Sequence, residues 1–580
     1  MITSFKVGNF KAFGETQEIP LKPITLIFGP NSSGKSSVIH SLLFGRHAVL
    51  RDEVDVTYPD GGGHVVDLGG FAQFVFGGRR GLERVVTWGA VADSVSLADR
   101  LDQPIVQAAE MLGVHSERVW SQALKDTASI SIELAIRRPT ERDGDSTGRL
   151  KPFVYSISLK ADQLYVLGAS RSAFDQPFRI DQFVQEHPLF SYLIRNTILA
   201  NTYKAEISDS EYDEVLKCFE EVLPDFRIEA DSFIPKHVYA IDRNDSANED
   251  LVVDRTIDVI RSHLPKQLSD LFCAIRHEVS KDLSDLTYLG PLRAYPPRHL
   301  AFSEQDDLDW YVGGGHAWSI LRDNPKVRKS VNKWLESPER LQTPYRLDVV
   351  GLFRPSSLFD DIEKGVNEVI TNQIAMLRKY LSSSINLEAA RQKSDYEMLV
   401  DGATQEIADV ETLTPILENA IVRAVSADAL ELVLTDKRTN TEVSHRDVGI
   451  GISQVLPVLV NAYAHHNRII AMEQPEIHLH PALQAELADV FIECALGDQQ
   501  NRFILETHSE HLILRILRRI REAGEQTGRK ISPDDVAVLY VLPTDEGSCI
   551  KRLDISDAGQ FLDGWPGGFF PERVKEIFGG

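Results

Sequence analysis

The first 50 residues show the hydrophobic pattern of two strands, a loop and a helix. Residues 2–7 alternate between apolar and polar side chains, and residues 23–28 (PITLIF) form a continuous apolar run that ends at Gly29. A helical pattern follows over residues 36–44. A short apolar run bounded by turn residues is typical of a buried strand. The pattern therefore predicts a buried strand, a glycine loop and a helix in that order.

The last 140 residues alternate clearly between strands and helices, whereas the middle of the chain gives mixed signals. The C-terminal pattern predicts a mostly parallel sheet with helices on both faces. No internal repeat and no sustained heptad pattern is present, so no long coiled-coil arm is predicted. The predicted C-terminal strands are 468–473, 502–506 and 536–542, and the helices are 481–495 and 509–523. In the middle, helical patterns lie near 98–125, 181–222, 255–283 and 357–381, and strands fit 129–137 and 153–159.

Composition narrows the classes of protein that fit. The chain has 580 residues, with 86 acidic against 62 basic side chains and a formal charge of −24. This length corresponds to about four domain-sized units, or to two large lobes. The acidic balance excludes a generally basic nucleic-acid coat, so any contact with nucleic acid needs a local basic patch.

Membrane, secretion and disulfide signals are weak in this sequence. No apolar run approaches the roughly 18 residues that a membrane helix needs, and the N-terminus has no apolar signal-peptide core. The four cysteines are scattered without a CxxC pair, which argues against a disulfide framework or a cysteine zinc site. We therefore expect a cytoplasmic protein that contacts no membrane.

The loop after the first buried strand matches a phosphate-binding motif in full. Its sequence, GPNSSGKS (29–36), fits G-x-x-x-x-G-K-[ST] between a strand and a helix. The glycines allow a tight turn, and backbone N–H groups at the helix N-terminus converge on phosphate oxygens. We expect Lys35 to reach the β- and γ-phosphates and Ser36 to hold Mg²⁺. The predicted nucleotide-binding residues of the loop are Gly29, Asn31, Ser32, Ser33, Gly34, Lys35, Ser36 and Ser37.

Three C-terminal segments and the N-terminal strand together resemble the ABC-type ATPases. The similarity is to the group that contains the RecF and SMC proteins and the ATPase half of OLD-family nucleases. GIGISQ (449–454) resembles the signature motif of that group, and IIAMEQPEIHLHP (469–481) resembles its Walker B strand and following loop. ETHS (506–509) resembles the switch-histidine motif, and FKVGNFKAF (5–13) resembles the opening strand. The resemblance implies ATP and Mg²⁺ as cofactors and a homodimer that closes on two ATP molecules.

The resemblance also implies roles for individual residues. Glu473 would hold Mg²⁺ or its waters, and His508 would contact the γ-phosphate. Ser453, flanked by Gly451 and Gln454 in the signature-like motif, would bind the γ-phosphate held by the opposite subunit. Gln73 is either a Q-loop residue that touches the metal or an ordinary surface glutamine. Lys11 would approach the nucleotide.

The sequence departs from the family where the attacking water would be activated. Most ABC ATPases end the Walker B strand in Asp-Glu, whereas this chain has Glu473-Gln474. Glutamine cannot accept a proton, although it can orient water. Glu476 is either the substitute base or a structural carboxylate on the turn. The sequence therefore predicts slow hydrolysis, with Glu473, Gln474, Glu476 and His508 as the catalytic residues.

Two further segments resemble bacterial OLD-like ATPases. They are YLGPLRAYPPR (288–298) and the tail FLDGWPGGFFPERVKEIF (561–578). Arg293 and Arg298 in the first are either ion-pair partners or phosphate contacts. OLD nucleases carry a Toprim domain after the ATPase, and no such domain is visible here. Many relatives in this broader group act in defence against phage, often beside a nuclease encoded nearby, so the resemblance implies a separate effector such as a nuclease or toxin as the partner.

These observations predict an α/β fold: an ABC-type P-loop NTPase domain built from the N- and C-terminal segments, with a mixed α+β inserted lobe. The leading hypothesis is a dimeric, slowly hydrolysing ATP switch in anti-phage defence. The alternatives are a RecF-like repair ATPase that binds DNA and a non-hydrolysing scaffold locked by ATP. The predicted boundaries are 1–90 and 441–545 for the ATPase domain, 91–440 for the lobe and 546–580 for a small C-terminal segment.

Overall fold

The structure is a computed structural model, and the residues it describes fall into several ranges. They are residues 1–56, 68–81, 84–112, 119–139, 151–185, 187–202, 208–241, 251–293, 308–338, 340, 342–352, 371, 375, 429–443, 450–523 and 531–566.

Strands and helices are numbered in chain order. The strands are β1 (Ile2–Gly8), β2 (Gln17–Pro20), β3 (Ile24–Phe28), β4 (Val86–Asp93), β5 (Ser129–Arg137), β6 (Phe153–Ala161), β7 (Leu164–Ser170), β8 (Phe178–Phe183), β9 (Phe226–Ile228), β10 (Val238–Ala240), β11 (Thr287–Leu289), β12 (Tyr345–Leu352), β13 (Ala429–Asp436), β14 (Thr441–Val443), β15 (Ile469–Glu473), β16 (Arg502–Glu506), β17 (Val536–Thr544) and β18 (Gly547–Leu553). The helices are α1 (Lys35–Arg51), α2 (Phe71–Phe74), α3 (Ser94–Leu112), α4 (Val119–Ala123), α5 (Pro188–Thr202), α6 (Asp209–Val222), α7 (Leu251–Ser284), α8 (Leu308–Val312), α9 (His316–Asp323), α10 (Pro325–Glu336), α11 (Ile450–Ala464), α12 (Pro481–Leu496) and α13 (Glu510–Ala523), with 3₁₀ turns at Gly78–Gly81, Leu223–Asp225 and Pro533–Asp535.

A six-stranded sheet joins the two ends of the chain. Its order is β11-β15-β16-β3-β17-β18, and every pairing is parallel except that of β17 with β18. The N-terminal strand β3 lies between the C-terminal strands β16 and β17. The prediction of one α/β P-loop domain built from both ends is confirmed by this pairing.

Helices cover both faces of the six-stranded sheet. On β3, Ile27 belongs to one buried core, and Ile24, Leu26 and Phe28 belong to the other. This division follows from the alternation of side chains along a strand. The first core also contains apolar side chains of α1 and α7, and the second contains those of α11, α12 and α13. The predicted arrangement of helices on both faces is therefore present.

A nine-stranded antiparallel sheet lies beside this domain, with the order β10-β9-β8-β7-β6-β5-β4-β1-β2. The predicted strand 129–137 is β5, and the predicted strand 153–159 extends to Ala161 as β6. A third sheet has the order β12-β13-β14. The predicted helix 255–283 is α7, and the helical pattern over 98–125 becomes α3 and α4. Residues 181–222 contain the end of β8 followed by α5 and α6.

The predicted helix near 357–381 lies outside the described residues apart from positions 371 and 375. The four predicted domain boundaries stay a prediction. In the structure, the boundary after residue 90 lies within β4, and β11 from the predicted lobe pairs with β15. In the described part of the chain, we find no helix with the length and apolar character needed to cross a bilayer.

Candidate functional site

The phosphate-binding loop connects β3 to α1 and depends on two glycines. Gly29 has φ +149° and Gly34 has φ +95°, conformations that residues with a Cβ rarely adopt. A Cβ on Gly29 would stand 2.6 Å from the Val541 carbonyl oxygen, and a Cβ on Gly34 would collide with the Cβ of Ala12. The loop therefore packs closely against β17 and the turn after β1.

Lys35 is the buried cation of this loop. Its Nζ donates hydrogen bonds to the carbonyl oxygens of Gly29 at 3.2 Å and Pro30 at 2.8 Å. Burial lowers the pKa of Lys35, and the carboxylates of Glu506 and Glu473 act against this shift. The ammonium group is thus held over the loop where a phosphate can replace the carbonyl oxygens. Among the other predicted loop residues, Asn31 and Ser32 are exposed, and Ser33 and Ser37 are buried.

Two carboxylates reach this loop from neighbouring parallel strands. Glu473 ends β15 and Glu506 ends β16, and the two are directly paired in the sheet register. The Ser36 hydroxyl donates a 2.7 Å hydrogen bond to Glu506 Oε2. Because the carboxyl ends of parallel strands meet at one edge, the acids and the loop share a cleft.

Burial raises the pKa of both acids. The pKa of Glu506 rises to about 7, chiefly through desolvation and with a further contribution from the charge of Glu473. Desolvation also raises the pKa of Glu473, while hydrogen bonds from Tyr288 and Ser36 act against it. Both acids therefore hold their protons more tightly than an exposed glutamate does.

This donor set fits a magnesium ion. Mg²⁺ prefers oxygen ligands and is typically held by one or two protein groups together with substrate phosphates. Ser36 and the strand-end carboxylate of Glu473 are such groups, and a cation would stabilise the ionised form of both buried acids. In the described part of the chain, no cluster of three or more His, Cys, Asp or Glu side chains could hold a metal by itself. A metal that arrives with a nucleotide would find oxygen donors in Ser36 and Glu473.

The turn after β15 connects the first acid to the switch-histidine motif. Gln474 adopts a left-handed conformation with φ 46°, and its backbone N–H donates to the Glu506 carbonyl at 2.7 Å. Glu476 Oε1 accepts a 2.7 Å hydrogen bond from the backbone N–H of His508. His508 is half-buried, and burial together with the charge of Lys35 lowers its pKa. The predicted residues Gln474, Glu476 and His508 are therefore neighbours of the phosphate loop.

Residues from β11 and the segment after it complete the edge. The Tyr288 hydroxyl donates a 2.7 Å hydrogen bond to Glu473 Oε1. Arg293 Nη2 donates to the carbonyl oxygens of Glu473 at 3.1 Å and Gln474 at 3.4 Å. The middle of the chain thus holds both the side chain and the backbone of the first acid.

His40 and Lys11 lie on another side of Glu473. Lys11 Nζ lies 2.8 Å from His40 Nδ1, and His40 Nε2 lies 3.6 Å from Glu473 Oε1. Burial and the Lys11 charge lower the pKa of His40 to about 3, so the ring is neutral near pH 7. A neutral ring accepts from Lys11 at Nδ1 and turns its Nε2–H toward Glu473. Lys11 therefore lies one side chain away from the predicted metal ligand.

The remaining predicted residues lie on α2 and α11. Gln73 is exposed on α2, where the carbonyl of its neighbour Phe74 accepts from the Lys11 N–H at 2.6 Å. Gly451, Ser453 and Gln454 lie in the first turns of α11, and a Cβ on Gly451 would stand 3.1 Å from the His478 carbonyl. Ser453 is only 2% exposed. The predicted roles of all these residues stay predictions.

Sequence reasoning missed three side chains of the site: Glu506, Tyr288 and His40. Glu506 carried a usable signal, because it ends an apolar run just as Glu473 does. Tyr288 lies in a strand of three residues, and His40 lies inside an ordinary helix. Neither position differs in sequence pattern from a structural residue.

The sheet order, the glycine loop and the clustered acids define a P-loop nucleoside-triphosphate-binding domain of the ABC type. A family model described as an AAA ATPase domain matches residues 322–513. The matched segment contains the signature-like motif, β15 and the switch-histidine motif, and the phosphate loop lies outside it. The match and the loop together support the presence of an ATPase domain in this chain. The comparison with curated proteins gives no match.

Solved structures with similarity to this chain include heads of SMC proteins. An Smc head bound to the C-terminal winged-helix domain of ScpA is 10% identical with a TM-score of 0.34, covering 96% of this chain and 98% of that one. The Smc head from Pyrococcus furiosus with an extended coiled coil, bound to the C-terminal domain of ScpA, is 10% identical with a TM-score of 0.32, covering 95% and 96%. The SMC head from Thermotoga maritima is 8% identical with a TM-score of 0.32, covering 96% and 99%. Because these TM-scores lie below 0.5, the fold assignment depends on the strand order and the loop described above.

Proposed function

We propose that this protein is a slowly hydrolysing ATPase of the ABC type that works as a dimeric conformational switch. The observation that carries the proposal is the hydrogen bond between Ser36 and Glu506, which places the phosphate loop against the strand-end acids. Lys35 would bind the β- and γ-phosphates, and Ser36 with Glu473 would hold Mg²⁺. The backbone N–H groups at the start of α1 would bind phosphate oxygens.

The slow rate follows from the residues beside the γ-phosphate position. Gln474 follows the first acid, where a glutamate would accept the proton of the attacking water. Glu476 is buried, and its Oε1 already accepts the His508 N–H. Gln474 would therefore orient water, and Glu476 would be the proton acceptor available nearby. A site of this kind binds ATP for long periods, as a switch requires.

The dimer proposal places Ser453 of one subunit on the γ-phosphate of the other. It is supported by the resemblance of residues 449–454 to a signature motif. Because Ser453 is buried, the start of α11 must be uncovered before this serine can reach a nucleotide. ATP would then favour the closed dimer by binding it more tightly than the open one.

We further propose that the switch regulates a separate effector, a nuclease or a toxin, in anti-phage defence. The support is the resemblance of residues 288–298 and 561–578 to segments of OLD-like ATPases. The experiment is a pull-down with the products of neighbouring genes, with and without ATP. Recovery of the same partner with wild type and with Lys35→Ala in both conditions would contradict ATP control.

ATP binding, phosphate release and mass by light scattering test the switch together. Wild type should bind Mg-ATP, release phosphate slowly and double its mass with ATP. Lys35→Ala should lose all three properties, whereas the exposed Lys329→Ala should keep them. A Ser453→Arg variant should bind ATP and remain monomeric. Turnover of hundreds per second, or no ATP binding by wild type, would contradict the proposal.

The scaffold alternative is favoured by Gln474, because a site without a proton acceptor can hold ATP unchanged. Steady-state phosphate release separates the two: a scaffold releases none above the Lys35→Ala background. For the DNA-repair alternative, the structure shows that three arginines of α13 form ion pairs with neighbouring carboxylates. Arg515 and Arg519 on α13 both pair with Asp489, and Arg518 pairs with Glu522. Salt-dependent binding to duplex DNA would nevertheless support it.

A further inference from the structure

Arg293 is a buried arginine, and two of its three side-chain nitrogen atoms make no hydrogen bond to the described residues. It lies four residues beyond the end of β11 and is 8% exposed. Nη2 binds the carbonyl oxygens of Glu473 and Gln474, whereas Nε and Nη1 find no hydrogen-bond partner among the described residues. A buried polar group without a partner is costly and rare, so these donors call for a ligand.

Arg293 lies beside the turn after β15, near the carboxylate of Glu476. Burial lowers the pKa of Arg293 to about 10, and Glu476 is the carboxylate that opposes this shift most. Glu476 Oε2 likewise has no hydrogen-bond partner among the described residues. The two charges are therefore near each other without being hydrogen-bonded. Glu476 in turn accepts a hydrogen bond from the backbone of His508, whose pKa is lowered in part by the charge of Lys35.

A purely structural role explains only one nitrogen of this side chain. Bracing the turn after β15 requires a donor toward two carbonyl oxygens, and Nη2 supplies it. A lysine ammonium could do the same. The guanidinium has five N–H groups in a fixed plane, so it can keep that brace while its other N–H groups bind an anion. Arginine is the usual side chain for such phosphate contacts.

We propose that Arg293 binds the terminal phosphate of the nucleotide through the N–H groups that face no protein acceptor. The inference depends on the proposed function, since it assigns a further contact in the same site. It adds a cation from the middle of the chain to the phosphate loop of the N-terminal segment. Arg293 follows α7 and β11 in sequence, and α7 contacts α1, α3, α5 and α6. Loss of the terminal phosphate would therefore remove a contact made by the segment that follows α7.

The test compares ATP with ADP, because only ATP carries the terminal phosphate. Arg293→Met should weaken Mg-ATP binding about tenfold or more and change Mg-ADP binding less than about twofold, from the strength of hydrogen bonds to charged groups. Arg293→Lys should give an intermediate loss. Arg171→Met is the matched control, since Arg171 is a buried arginine directly after β7 whose donors bind carbonyl oxygens. It should lower the melting temperature and leave both affinities unchanged.

The outcomes separate this inference from the proposed function. Wild type that binds no ATP, or binds it without need of Lys35, overturns both. Wild type that depends on Lys35, with an Arg293→Met variant that keeps the preference for ATP over ADP, overturns this inference alone. Equal loss of both nucleotides also overturns it, because that is the result of a structural brace. If the methionine variant does not fold, Arg293→Lys decides by the same ratio.

Discussion

The Ser36 hydroxyl donates a 2.7 Å hydrogen bond to Glu506 across 470 residues of sequence. One partner is the second residue of α1, and the other ends a strand of the C-terminal segment. The bond exists because β3 and β16 are adjacent parallel strands in register, with Ile27 opposite Glu506. Neither half of the chain therefore forms the site alone.

Glu506 should make the nucleotide-free protein less stable as pH rises. Its pKa is about 7 in the folded protein against an ordinary value of 4.5, so the folded state holds this proton more tightly. Stability from this group is therefore present below pH 4.5 and is lost as pH rises through about 7, with a total loss of about 3 kcal/mol. We expect the apparent melting temperature to fall between pH 5 and pH 8.

Glu506→Gln should reduce this pH dependence, because glutamine stays neutral and still accepts from Ser36, while the raised pKa of Glu473 leaves a smaller slope. The exposed Glu546→Gln is the matched control and should retain the wild-type slope. Thermal unfolding followed by circular dichroism at half-unit pH steps measures both. A wild-type slope in Glu506→Gln would show that another group titrates in this range.

A Gln474→Glu substitution should speed ATP hydrolysis at least tenfold. A carboxylate at this position can accept the proton of the attacking water, and general-base catalysis contributes about 10²–10⁴-fold in rate. The matched control is Gln500→Glu, because Gln500 is exposed and also has a positive φ of 51°. Steady-state phosphate release measures the rate.

A second variant, Glu476→Gln, shows whether Glu476 and not position 474 activates the water. If Gln474→Glu leaves the rate unchanged while Glu476→Gln abolishes it, Glu476 is the base and position 474 has no role in activating water. If the Gln474→Glu variant does not bind ATP, the turn after β15 does not tolerate the added charge.

The sequence predicted the ends of the chain far better than its middle. The phosphate loop and strands β15 and β16 have local signals: a glycine motif and apolar runs that end in acid. Parallel pairing then brings their carboxyl ends together without any detail of the middle. The nine-stranded sheet depends on pairings between strands of mixed pattern, such as β4 with β1 and β5, and these are not visible in a local window.

Tyr288 and Arg293 show why the site could be predicted only in part. β11 has three residues, too few for a periodic pattern, and its place beside β15 comes from a parallel pairing about 180 residues away in sequence, as the separation of Tyr288 from Glu473 shows. The sequence left the role of Arg293 open between an ion pair and a phosphate contact. Its two contacts with backbone carbonyls could not be derived from residue types.

Tyr288→Phe should weaken the response to magnesium. The phenol donates to Glu473 Oε1, and its loss leaves a buried carboxylate oxygen with one donor fewer. The phenol also orients this carboxylate, and loss of a group that orients a metal ligand typically lowers metal affinity about 10- to 100-fold, so we expect an Mg²⁺ concentration for half-maximal ATP binding that is about tenfold higher. The exposed Tyr239→Phe is the control. An unchanged Mg²⁺ requirement, measured by fluorescent-nucleotide titration, would show that Glu473 does not serve the metal.

Gly34→Ala should abolish nucleotide binding because of backbone strain and one collision. Gly34 has φ +95°, and an added Cβ would meet the Cβ of Ala12. A left-handed conformation costs a residue with a Cβ about 1–2 kcal/mol, and the collision adds to this. Gly564→Ala is the control, since a Cβ there meets nothing within 4 Å.

The double variant Ala12→Gly with Gly34→Ala separates the two causes. Removing the Ala12 methyl relieves the collision and leaves the strain, so ATP affinity should recover in part. Full recovery would assign the whole effect to the collision, and no recovery would assign it to the backbone. Wild-type affinity in Gly34→Ala alone would mean that the loop binds nucleotide in a different conformation from the one described, and the phosphate site built on Lys35 and Ser36 would have to be abandoned.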